Sequence, residues 1–177
     1  MKPERFRLLA AVVAAHPDRL VFGLTRLQCT ILLLQGAGLS TDYGYTTHFH
    51  SPYSEGLHAE IGLLEHMGLV KVQFQRSTEN GACYVVEAKS KAALKEVEEQ
   101  FRDAIQLTAQ SDREVLELAA TYVAFREKGV THDEALAVIR RRKGAERVAK
   151  KEKSIFELLD KLGLLEEKHR EYSAVGD

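Results

Sequence analysis

Ile31-Leu32-Leu33-Leu34 leaves no polar face on one full turn of helix. A helix that is apolar all round has to be covered on every side, so the rest of the chain must wrap around it. The signals at its ends bound it. Thr25-Arg26-Leu27-Gln28 has the form of a capping box, in which the threonine hydroxyl caps the first turn and Gln28 reaches back, and Gly36-Ala37-Gly38 stops the helix. Arg26, Gln28 and Gln35 interrupt the run from Leu20 to Leu39, which excludes a membrane span.

Around this element the patterning changes period twice. A first helix is predicted from about Pro3 to Ala15, ended by His16-Pro17 because the residue before a proline avoids helical geometry. Tyr45 to His50, rich in Thr, Tyr and Phe, reads as a strand. Ser51-Pro52 then opens a third helix with Pro52 at its first position, with Leu57, Ile61, Leu64 and Met67 as the buried stripe and Gly68 as the stop. Val70, Val72 and Phe74 alternate with Lys71, Gln73 and Gln75, the period of a half-buried strand, and Asn80-Gly81 turns the chain into a partner strand from Cys83 to Ala88. Everything after Ser90 reads as helical. Ser111-Asp112-Arg113-Glu114 and Thr131-His132-Asp133-Glu134 are capping boxes opening helices of about 17 and 12 residues by pattern. A last helix follows over about Ala145 to Leu162, then a polar tail from about residue 166. The predicted fold is therefore mainly α with a small β component. Residues 1–89 form a winged-helix-like module of helix, helix, strand, helix and β-hairpin, and residues 90–177 form a helical region packed on it.

The charge balance narrows function. Twenty-five Lys and Arg against 26 Asp and Glu give a formal net charge of −1, so a strongly basic nucleic-acid binder is not indicated by the whole chain. Cys29 and Cys83 have no CxxC spacing, which argues against a zinc site or a disulfide scaffold and for a reducing, cytoplasmic setting. The cations Lys2, Arg5 and Arg7 before Leu8–Ala15 superficially resemble a signal peptide. The apolar stretch is short and lacks a small-x-small cleavage site, so an amphipathic first helix is expected.

Several of these residues together carry a resemblance. Leu27-Gln28, Leu33-Leu34-Gln35, His48-Phe49-His50-Ser51-Pro52-Tyr53-Ser54 and Leu64 to Val70 resemble the YwgA-like family of bacterial and archaeal proteins, in which an HFYGPYS segment stands at the corresponding place. Leu116 to Ala124, Glu134-Ala135 and Lys143 are similar to that family's helical tail. The sequence departs from the family at His50, where the family has an aromatic residue, and at Ser51, where it has glycine. A more distant similarity is to the Panacea domain of bacterial antitoxins. The resemblance implies a fold, with Leu27, Gln28, His48, Phe49, Pro52, Tyr53 and Ser54 as a structural motif. It transfers no activity and no functional residue.

Candidate sites are few. His48 and His50 share a strand face, with His58 and His66 following on the third helix, but no acidic partner stands at ligand spacing, and no metal or cofactor is predicted. The third helix occupies the recognition position of a winged helix, yet it carries Glu55, Glu60 and Glu65 and no Arg or Lys. A major-groove reader offers cations or amides there, and carboxylates repel phosphates. The one dense basic stretch is Arg140, Arg141, Arg142, Lys143, Arg147, Lys150 and Lys151, followed by Lys153, a candidate phosphate-contacting patch, or else a solvated helix face offset by Glu157, Asp160, Glu166 and Glu167. No GxSxG, P-loop, GxGxxG or HExxH motif is present. The sequence therefore predicts a non-enzymatic binding or regulatory protein that contacts another protein, with self-association to a homodimer open and no membrane contact. The alternatives are a DNA-binding transcriptional regulator using the basic stretch and the hairpin, and an enzyme with an unrecognised site.

Overall fold

The structure is a computed structural model that describes residues 3–47, 51–77, 81–89, 97 and 99–166. In chain order the elements are α1 (Pro3–Ala15), a 3₁₀ turn (Pro17–Arg19), β1 (Leu20–Phe22), α2 (Leu24–Gly36), β2 (Thr46–Thr47), β3 (Pro52–Tyr53), α3 (Glu55–His66), β4 (Val70–Ser77), β5 (Gly81–Ala88), α4 (Glu99–Gln110), α5 (Arg113–Arg126), α6 (His132–Lys143) and α7 (Ala145–Lys161). The fold is mainly helical with a small antiparallel sheet of order β1-β5-β4 and a two-stranded ribbon β2-β3.

The all-apolar helix is the centre. Every residue of α2 from Leu27 to Leu34 is buried. It is covered by α5 on one side and by α4, β1, β3 and β5 on the others. Buried apolar residues from Phe6 in α1 to Leu165 beyond α7 form one contiguous cluster, so the two halves share a core. Gly36 lets the end of α2 approach the C-terminal half closely: a Cβ there would stand 3.1 Å from Leu164 and 3.3 Å from Val123.

The hairpin forms with a simple register, Val70 opposite Ala88 and Phe74 opposite Tyr84. Asn80 of the expected turn lies outside the described residues. β1, which the local pattern does not announce, adds to the far edge of β5, with Val21 opposite Val86.

Several expected boundaries are corrected. The N-cap of α2 is Gly23, at φ +100, and the helix begins at Leu24. Thr25 lies inside the helix and does not cap it, and Gln28 bonds Ser54 instead of reaching back to the first turn. Of the expected strand from Tyr45 to His50, Thr46–Thr47 pairs with Pro52–Tyr53, and His48, Phe49 and His50 lie outside the described residues. Pro52 is a strand residue, not the first residue of α3, whose N-cap is Ser54. At α5 the cap is Asp112: its carboxylate accepts from the N–H groups of Glu114 and Val115, while Ser111 Oγ bonds back to Leu107 O, and the helix has 14 residues rather than about 17. The Thr131–Glu134 box at α6 forms with both of its reciprocal hydrogen bonds.

Candidate functional site

The site is built around α3, and the first question is what fixes that helix. Gln28 in α2 is 2% exposed and Ser54 is 1% exposed. The Gln28 side-chain amide donates to Ser54 O at 3.0 Å and accepts from Ser54 N at 2.9 Å. One side chain thus satisfies both backbone groups of the residue that precedes α3, as a neighbouring strand would. Ser54 Oγ accepts in turn from Leu57 N, closing the first turn. Leu27 and Pro52 are buried, and the half-buried Tyr53 ring lies 5.9 Å from that of His58. The motif residues that fall among the described ones therefore hold α3 to α2.

A second amide secures the connection before it. Gln35 donates to Tyr43 O and accepts from Thr41 Oγ1 and Tyr43 N. Tyr43 then donates its hydroxyl to Glu60, which also binds the Arg5 guanidinium, and that guanidinium lies 4.9 Å from the centre of the Tyr43 ring. Burial, and then the hydrogen bond to Glu60, push the Tyr43 hydroxyl above its ordinary range, so it acts as a neutral donor. The hydrogen bond to Glu60 raises the Arg5 guanidinium. Glu60 is 4% exposed. It faces the protein, not a ligand, which corrects the expectation of three outward carboxylates.

The outer face of α3 then carries an apolar stripe. Ala59, Leu63 and Met67 recur every four residues and are exposed, Leu63 by 40% and Met67 by 61%. Met67, expected in the buried stripe, follows the last helical residue and points outward. Glu55 is exposed near this stripe, whereas Glu65, also exposed, turns toward β4, where its carboxylate accepts from Val72 N. The described part of α3 presents no Arg or Lys.

Beside α3 stands the hairpin, and here the sequence reading missed two residues. Phe74 and Tyr84 pack edge to face at 5.4 Å, yet remain 56% and 50% exposed. They occupy the core-facing side of the sheet at the end that projects past the helices, an overhang no local periodicity reveals. On the other side of β5, Phe22, Cys83, Tyr84, Arg26 and Arg113 line a groove of about 450 Å³. Arg26 is committed there, donating to the carbonyls of Thr108, Ala109 and Ser111 at the end of α4 at 2.9–3.2 Å.

The basic stretch is brought together but largely neutralised. Arg140 makes a two-pronged contact with Glu152 at 2.9 and 2.7 Å, Arg147 pairs with Glu114, Lys150 with Glu146 and Lys151 with Asp112. Arg142 lies over the Phe125 ring at 5.5 Å, and burial lowers Lys143. Arg141 is exposed. Three of the seven candidate phosphate contacts, Arg140, Arg147 and Lys151, thus hold the α6–α7 pair together or tie it to the start of α5, while Lys150 pairs within α7.

Among the described residues no group of three or more His, Cys, Asp and Glu side chains is arranged to hold a metal ion. His48 and His50 lie outside them; His58 and His66 are exposed on α3. No helix among the described residues is long and apolar enough to cross a membrane. Comparison of the chain with family models, with characterised proteins and with solved structures finds no match.

Proposed function

We propose that this chain is a non-enzymatic binding or regulatory protein whose N-terminal, winged-helix-like module docks another protein through the outer face of α3. The observation that carries the reading is the exposed Ala59-Leu63-Met67 stripe, with Glu55 beside it and no Arg or Lys on the helix. An exposed large apolar stripe with a polar rim is the signature of a protein contact. A carboxylate-bearing helix is a poor partner for phosphates. The order helix-strand-helix-helix-hairpin with sheet order β1-β5-β4 supports the winged-helix description. The link between α2 and α3 separates the module from DNA readers of that class: a helix-turn-helix joins its two helices by about 3–4 residues, whereas residues 37–54 stand between α2 and α3 and carry a ribbon that packs on α5.

The competing reading, a DNA-binding regulator, draws on exposed Lys71 and Arg76 beside Phe74 on the hairpin. Affinity capture from the native cells, with nuclease treatment, separates the two. A partner protein retained after nuclease by the native chain and lost with Leu63→Glu/Met67→Glu supports docking through α3. Recovery of nucleic acid alone, unaffected by that double change, refutes it.

A further inference from the structure

β4 is the outer strand of the sheet, and its free edge is only partly closed. Val72 N–H, which points away from β5, donates to the Glu65 carboxylate at 2.8 Å. Backbone groups alternate direction along a strand, so the N–H and C=O of Phe74 and Arg76 also point outward. This assignment agrees with β5, where Tyr84 O, opposite Phe74, turns toward β1 and accepts from Gly23 N at 2.8 Å. Among the described residues, Glu65 therefore blocks the edge at Val72 and none pairs with it over Phe74, Gln75 and Arg76, all three exposed.

We propose that this open edge pairs antiparallel with the same edge of a second copy of the chain, with the twofold axis at Gln75. The sequence of the edge fits itself in that register. Phe74 falls opposite the partner's Arg76 and Arg76 opposite the partner's Phe74, so four backbone hydrogen bonds form between two closely bonded residue pairs. Opposite residues share a face, which sets each guanidinium over a phenylalanine ring already packed on Tyr84. Gln75 meets its own copy, so no like charges are opposed along the open edge. The register centred on Phe74 instead needs Val72 N–H, which Glu65 holds. The two contacting patches are identical, so the assembly closes at two copies. The inference stands independently of what α3 docks.

The test joins solution mass with a cross-link. Gln75 is opposite Cys83 within one hairpin, so Gln75→Cys is made in a Cys83→Ser background. At a non-hydrogen-bonded antiparallel position the two Cα atoms lie about 4.5 Å apart, within disulfide reach. Oxidation should give a covalent dimer much faster than the same background carrying Ala149→Cys, an exposed position far from the edge. Sedimentation equilibrium of the native chain should show a rise from one chain to two at high concentration. Phe74→Ser and Arg76→Glu, both at exposed positions, should each weaken it by roughly tenfold, the scale of the two ring–cation pairs that a twofold dimer then loses, with unchanged circular dichroism. A native chain that stays monomeric at roughly millimolar concentration, where even small interfaces assemble, overturns the proposal. So does a dimer indifferent to both substitutions, or a Gln75→Cys cross-link no faster than the control.

Discussion

Replacing Gln28 by methionine tests how α3 is held in place. The substitution keeps the length and nearly the helix propensity of the side chain, so it leaves no sizeable cavity in α2. It removes both bonds that this amide makes to Ser54: the buried Ser54 N–H has no other partner among the described residues, while the Ser54 C=O keeps its bond from His58 N. A buried polar group left unpaired costs about 1–3 kcal/mol, and a lost second bond to a carbonyl that keeps one partner about 0.5–1.5 kcal/mol, so the two together should cost roughly 1.5–4 kcal/mol. Ser54→Ala provides the scale: it deletes one helix-cap hydrogen bond to Leu57 N and should cost about 1 kcal/mol. Gln28→Glu adds a sign. A protonated carboxyl can donate to Ser54 O and accept from Ser54 N, whereas a carboxylate can only accept. Its protonated form is the one the folded state binds, so its folded pKa lies above the ordinary value of about 4.3. That variant should be most stable below that ordinary value and lose stability as pH rises through the folded one. The assay is urea unfolding followed by circular dichroism. A Gln28→Met loss below about 1 kcal/mol, or one no larger than that of Ser54→Ala, would refute the two-bond account.

Further outcomes follow from the same structure. On α3, Ile61→Ala should cost on the order of 2–5 kcal/mol and Leu63→Ala under about 1 kcal/mol, since the first side chain is 4% exposed and the second 40%; comparable losses in urea titrations would show the helix is turned differently. Leu34→Ala, fully buried in α2, should match Ile61→Ala. His16 is 4% exposed with Nδ1 2.9 Å from Val12 O, and burial lowers its pKa from the ordinary 6.5. Both states are neutral above that value, so stability is retained there and lost as pH falls toward the folded pKa, by at most about 1.4 kcal/mol between pH 7.5 and 5.5; His16→Gln should remove this part of the pH dependence, and an unchanged slope would contradict the assignment. Titration of labelled duplexes should show only weak binding that ignores sequence and collapses with salt, reduced by alanine at Arg140, Arg141, Arg142 and Lys143 and untouched by changes at His58; tight, selective binding that survives physiological salt would contradict it.

How far the sequence could be read depended on whether a residue answered to its neighbours or to distant ones. The central helix and the β4–β5 hairpin were legible because Ile31–Leu34 and the Val70, Val72, Phe74 alternation are local patterns with one packing solution. Gln28 was misread as a capping residue because its true partner, Ser54, lies 26 positions away. Ser111 lost the cap of α5 to Asp112, whose carboxylate reaches two N–H groups at once. The three residues of β1 carry too short a pattern to announce a strand, and their pairing with β5 is non-local. At the candidate site, the absence of cations on α3 was plain from residue types. Glu60 was legible in principle, since Leu57, Glu60, Ile61 and Leu64 share one helical face; its partners Arg5 and Tyr43 were not. The exposure of Phe74 and Tyr84 depends on how far the hairpin overhangs the body, which no periodicity encodes.

The central claim is that α3 faces a protein, and the most direct measurement places a photo-crosslinking amino acid at Met67, the most exposed large apolar residue, in cells that make the protein. Illumination should yield a discrete heavier adduct that survives nuclease, is digested by protease, and disappears when Leu63→Glu is added. An adduct that shortens with nuclease, or the absence of any adduct while the same amino acid at Arg141 captures nucleic acid, would contradict the account.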